Sequence, residues 1–214
     1  MKRINLLVIV LIMLAFRANS QVHMVGIKNG INLTNVTGIS TDYRVGNNYG
    51  FMYEVLFKDK YSISIDLFYN QRGYKDKLSF NNANEEAGVT SVLNFNCDYL
   101  SFPVKIGYSI GNTFKKYINI GVNPSLLLNS QTSSPVVNAG KITGTLNYNS
   151  ENSLKNFDIG GLIEIGLLYP VVEHVNLFSS VMYSQSFNSF YKHTINQNVR
   201  HSCISLSLGV KLKI

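Results

Sequence analysis

The chain has no tryptophan, two cysteines and four prolines in 214 residues, and only 14% of it is charged. Each scarcity removes a class of protein. Two cysteines cannot frame a disulfide-stapled fold. Four prolines exclude a collagen-like or proline-rich spacer architecture. A charged fraction well below the soluble average of about 25% is a poor surface for a water-soluble domain. The formal net charge of +7 is spread along the chain, whereas nucleic-acid binding calls for clustered Lys and Arg. Past residue 20 no apolar run approaches the 18 residues of a transmembrane helix. If this chain crosses a membrane, it does so with strands.

What is present points outward from the cytoplasm. The opening MKRINLLVIVLIMLAFRANSQ places Lys2 and Arg3 before an apolar run, Leu6 to Phe16. Small residues, Ala18 and Ser20, follow it. That is the layout of a secretory signal peptide, residues 1–20, cleaved after Ser20. Gln21, and no cysteine, stands directly after the cleavage point, so a lipoprotein anchor is not indicated. Without Lys2, Arg3 and Arg17 the formal charge falls from +7 to +4. Residues 21–214 then have the length of one domain.

The whole chain is rich in Tyr (13), Phe (12) and Gly (16), and period-2 alternation runs through residues 21–214. Eight candidate strands are read at 22–34, 48–58, 61–73, 95–109, 116–128, 156–169, 175–187 and 202–214. One face of each is apolar, for example Val25, Ile27, Ile31 and Leu33 in the first and Ile204 to Ile214 in the last. The connections alternate in length. Long ones cover 35–47, 74–94, 129–155 and 188–201; short ones cover 58–60, 110–115 and 170–174. Four long loops on one side and three turns on the other predict an eight-stranded antiparallel up-and-down transmembrane β-barrel. A soluble, lipocalin-like barrel has no reason to sort its loops this way.

The second face carries glycines, serines, asparagines and eight charges: Lys28, Glu54, Asp66, Arg72, Lys105, Asp158, Glu164 and Lys211. On a soluble protein these would be solvated. In a narrow eight-stranded lumen, small residues leave room and the four acids must pair with the four bases. Tyr49, Tyr61, Tyr69, Tyr108, Tyr169 and Phe187 lie near strand ends on the apolar face, as interfacial aromatics do. The second face is therefore expected to line the lumen, with the eight charges as the candidate site. Cys97 and Cys203 share the lumenal parity on strands expected to stand opposite each other. Their separation should exceed the ~7 Å limit for a bridge.

The order of several motifs carries a family resemblance. "VGIKNGINLTNVTG" resembles the glycine-rich first strand of PorT-like porin-family barrels of Bacteroidetes, with Gly26, Lys28, Gly30, Asn32 and Asn35 in the motif positions. "SIDLFYNQRGYK", "DYLSFPVKIGYSI", "INIGVNPSLLLNS" and "FDIGGLIEIGLLY" are similar to later strands of that family. Ser101 departs from it, standing where a glutamate is common. The resemblance implies an outer-membrane barrel and, by analogy, a part in a secretion or envelope assembly.

Catalytic and metal signatures are absent: no HExxH, CxxC or G-x-S-x-G occurs. His23 and His174 fall on the periplasmic side. Ser184 or Ser186 with His193 or His201 could form a rim enzyme acting on lipid, but loop histidines at a hydrated rim are the plainer reading. The expectation is a non-enzymatic barrel with no cofactor and no metal, in contact with outer-membrane lipid and lipopolysaccharide. Envelope proteins would be met through loops 35–47, 74–94, 129–155 and 188–201. A small-solute channel is the other alternative.

Overall fold

The computed structural model describes residues 21–80, 89–138, 141–192 and 198–214. The expected signal peptide, 1–20, lies outside them. Ten antiparallel strands follow in order: β1 (Gln21–Thr37), β2 (Arg44–Phe57), β3 (Tyr61–Phe80), β4 (Val89–Ser101), β5 (Val104–Ile110), β6 (Lys115–Asn138), β7 (Lys141–Asn149), β8 (Phe157–Val172), β9 (Val175–Ser186) and β10 (Arg200–Lys213). The wall runs β1, β2, β3, then β4 and β5 in succession, β6, β8, β9 and β10, with β7 paired to β6 alone among the described residues, and β1 closes the ring on β10 from Met24↔Lys213 to Thr37↔Arg200.

Eight of the expected staves are present, but two boundaries change. The strand expected at 95–109 is broken. β5 pairs the lower part of β3, Tyr61↔Tyr108 to Ile65↔Val104, and β4 the upper part from Phe68↔Ser101. Pro103 is the cause: it has no N–H to donate to the ladder. Its carbonyl still accepts from the Asp66 amide at 3.0 Å, and the Phe102 amide donates to the Pro124 carbonyl at 2.8 Å. The stave therefore stays in the wall.

The second change concerns the long loops. The segment 129–155 is strand over most of its length: β6 runs to Asn138 and β7 returns from Lys141 to Asn149 as a hairpin partner. Likewise β3 continues to Phe80, β4 begins at Val89, and 35–47 is strand up to Thr37 and again from Arg44. These extensions carry polar residues on both sides, as in Asn129–Ser134. With a polar inner face, where Ser130 and Thr132 are buried, and no lipid outside, the period-2 signal fades while backbone pairing persists.

The short connections are tight. Lys58 and Asp59 both have positive φ, 49° and 57°, the pattern of a two-residue type I′ hairpin, whose twist matches that of the strands. Gly111, at φ 109°, starts the β5–β6 turn in a conformation that suits glycine.

The wall has one apolar and one filled side. Ile27, Ile31, Phe51, Ile65, Ile106, Ile120, Ile165, Leu206 and Leu208 point outward and are exposed. Aromatics mark two levels on this side. At the end with the short turns, Tyr61 meets Tyr108 with ring centroids 5.4 Å apart, and Phe114 meets Tyr169 at 4.8 Å. Toward the other end Tyr49 stacks on Tyr69 at 5.1 Å, and Phe157, Tyr183 and Phe187 are exposed on the same outer side. An apolar band between aromatic girdles is the outer surface of a membrane barrel, with short turns on the periplasmic side. Strand β3 spans the band from Tyr61 to Tyr69; its upper part stands in water.

Candidate functional site

Alternation turns every second residue of these strands inward, and there the side chains fill the ring. The eight charges lie in three groups. Nearest the middle, Lys28 Nζ is 3.0 Å and Lys105 Nζ 2.8 Å from the same Asp66 oxygen, and Lys105 also reaches Glu164 at 2.9 Å. Asn119 donates to that Glu164 oxygen at 2.9 Å. Lower down, Lys211 meets Glu54 at 2.7 Å. Higher up, Arg72 meets Asp158 at 2.7 Å. All eight residues are buried. A single ionised group in such a place would be strongly unfavourable; mutual pairing and added hydrogen bonds offset the desolvation.

These contacts skip staves. Lys28 on β1 reaches Asp66 on β3 past β2, and Lys105 on β5 reaches Glu164 on β8 past β6. Arg72 on β3 reaches Asp158 on β8 and also donates to Ser125 at 3.0 Å. Ser186 donates to the same Asp158 oxygen at 2.7 Å.

Other inward residues are uncharged, and parity places Asn32, Ser205, Met52 and Phe68 on this face without showing what they meet. Asn48 donates to the Asn32 side-chain oxygen at 2.6 Å, and Ser205 donates to that oxygen at 2.7 Å. Apolar layers alternate with the polar ones: Met52, Leu168 and Phe178 in one, Phe68, Leu162 and Met182 in another. Lys28 Nζ lies 3.9 Å from the Phe68 ring centre, and Lys211 Nζ lies 5.2 Å from both Tyr117 and Phe178. The rings thus flank the ammonium groups and supply cation–π attraction as well as bulk. Gly166 is needed among them, since a Cβ there would strike the Tyr117 ring. The cavity beside Glu54 and Lys211 measures about 20 Å³, close to the room for one water.

The upper mouth is closed from above. Leu154, before β8, and Phe190, after β9, are fully buried. The Lys155 amide donates to the Phe190 carbonyl at 2.7 Å, and the Phe190 amide donates to the Val199 carbonyl at 3.2 Å. Phe190 stacks on His201 at 4.2 Å and approaches Phe95 at 6.0 Å. The Tyr74 and Tyr191 hydroxyls are 3.0 Å apart. So the segments read as exposed loops include a lid. The signal for it is a Phe190–Tyr191 pair in an otherwise polar stretch.

This overturns the reading of His201 as a hydrated rim residue. It is buried, wedged between Phe190 and Tyr99, and its Nε2 is 3.2 Å from the Tyr99 hydroxyl. Among the described residues neither Ser184 nor Ser186 hydrogen-bonds it. His193 lies outside the described residues. Cys97 and Cys203 are free buried thiols, near Ser130 and Ser205 respectively. Among the described residues no group of three or more His, Cys, Asp or Glu is placed to hold a metal.

A closed antiparallel ring with an apolar band outside, aromatic girdles and a packed interior defines a membrane-spanning β-barrel of the outer-membrane kind. Residues 14–192 match the family described as outer membrane protein beta-barrel domain, and the chain belongs to that family. It is an outer-membrane protein. Among solved structures it is similar to Neisserial surface protein A, at 17% identity over 90% of this chain and 97% of that one, TM-score 0.49. It is also similar to OprG of Pseudomonas aeruginosa, at 13% identity over 91% and 97%, TM-score 0.47. The attachment invasion locus protein Ail of Yersinia pestis gives 10% identity over 89% and 99%, TM-score 0.43, in a complex with the heparin analogue sucrose octasulfate. No curated protein matches the chain in sequence.

Proposed function

We propose that this barrel is a closed, non-enzymatic scaffold that holds a recognition surface above the outer membrane. The observation that carries the reading is the contrast between its two halves. The spanning part is filled by ion-paired side chains and lidded. Above it β6 and β7 rise as a hairpin in which Leu146 and Tyr148 stand exposed. Among the described residues β7 pairs with no strand other than β6, so the outer edge of 144–149 is offered to an extended partner segment. Export by a cleaved leader at 1–20 and membership of a PorT-like secretion or envelope assembly are part of the same proposal, with the eight lumenal charges as its structural centre.

Two measurements test it. Planar-bilayer recording should show no porin-sized conductance; a large, weakly selective open state would overturn the closed lumen. Photo-crosslinkers placed at Leu146 and Tyr148 in intact cells should yield discrete protein adducts. Their absence, with the barrel folded in the membrane, would overturn the recognition role of the hairpin.

A further inference from the structure

The lipid-facing band is apolar except at a few positions, and two of these share one hydrogen-bonded row. Lys116 on β6 pairs with Leu167 on β8, and Leu167 pairs with Ser179 on β9. Because Ser179 is small, the wall dips there. The dip is a groove of about 430 Å³ with walls of Ile165, Leu167, Val181 and Leu206, all exposed on the outer face. That volume lies in the range of sites that hold small molecules. Lys116 lines the same groove.

The depth of Lys116 is fixed by its neighbours. Phe114, two residues before it, meets Tyr169, two residues after Leu167, at 4.8 Å. That pair belongs to the periplasmic girdle, so Lys116 sits one step deeper into the band than the aromatics. Among the described residues it makes no ion pair or side-chain hydrogen bond, and its cross-strand partners, Ile110 and Leu167, are apolar. An ammonium against hydrocarbon turns toward the interface and takes an anion where one is available. At this depth the available anion is the phosphate of a glycerophospholipid in the periplasmic leaflet.

We propose that Lys116 and the Ser179 groove form a binding site for an anionic glycerophospholipid, with its phosphate on Lys116 and one acyl chain lying over Ser179. Charge complementarity selects the occupant: a second copy of the chain would bring another lysine to the same place. The site depends only on the membrane placement of the barrel, and not on what the extracellular hairpin recognises.

Native mass spectrometry of the folded barrel, titrated with phosphatidylglycerol and with phosphatidylcholine of the same acyl chains, tests it. Retained heat-modifiable gel mobility establishes folding of each variant. Wild type should carry phosphatidylglycerol in preference to phosphatidylcholine by roughly fivefold, the scale of one lysine near an anionic headgroup. Lys116→Gln should remove the preference, Lys116→Arg should keep it, and Ser179→Leu should reduce binding of both lipids. Equal binding of the two lipids to wild type, a preference that survives Lys116→Gln, or a protein dimer abolished by Ser179→Leu would each overturn the proposal.

Discussion

Lys105 bridges Asp66 and Glu164, at 2.8 and 2.9 Å, and offsets their mutual repulsion. Lys105→Met would leave two buried carboxylates near one another with Lys28 alone to balance them. Removing one partner of such a cluster costs about 3–5 kcal/mol. Equilibrium unfolding in phospholipid vesicles should show a loss of that size. The exposed pair of Lys77 and Asp42, 2.7 Å apart above the membrane, is the control. Its loss in Lys77→Ala should leave stability close to unchanged, because water screens an exposed pair. At this scale, parity singles out which charged residues share a face, because alternation has a period of two whatever the fold. It does not show which carboxylate meets which ammonium, since that depends on stagger between strands far apart in sequence. Parity also passes over Asn29, an exposed polar residue on the apolar side between Ile27 and Ile31, because a lone exception does not disturb a strand pattern.

The lid between β7 and β8 and between β9 and β10 is the element least visible in the sequence. It is made by backbone bridges such as Leu154↔Tyr191, and no local pattern announces a contact between segments that far apart. Phe190→Ala should uncover His201, detectable as faster modification of the imidazole by a histidine reagent, with the gel mobility of the folded barrel unchanged. The lid also has an alkaline limit. Burial lifts the Tyr74 and Tyr191 phenols above the ordinary value of 10.0, and the hydrogen bond to Tyr191 raises Tyr74 further. Since the folded values exceed the unfolded one, this contact is at full strength below pH 10 and is lost as the pH climbs through the folded values. Phenolate absorbance should show a late-ionising pair that Tyr74→Phe abolishes. The extended hairpins are a different case. The alternation that reveals the staves ends where the lipid ends, so 129–155 reads as loop although β6 and β7 occupy it.

For the whole molecule, the fold was legible because a membrane imposes one rule on every stave: apolar outward, small or polar inward. Loop-length alternation then sets the orientation. The broken stave at Pro103 and the apolar layers inside were not legible, because packing across the ring has no sequence period. If the interior charges are what blocks the passage, replacing Lys28, Asp66, Lys105 and Glu164 together with serine should give stepwise conductance in planar bilayers where the native barrel gives none. A folded variant that stays silent would show that the apolar layers suffice to block it.

The stave-skipping contacts have a mechanical consequence. A ring held only by its ladder can flatten, because each strand hinges against the next. Lys28–Asp66, Lys105–Glu164 and Arg72–Asp158 join points of the wall that are not adjacent, so squeezing the ring along one diameter must stretch some of them. They act as spokes. The cross-section should therefore keep its shape as lateral pressure in the bilayer changes, and the hairpin above is held on a base that does not deform with the lipid around it.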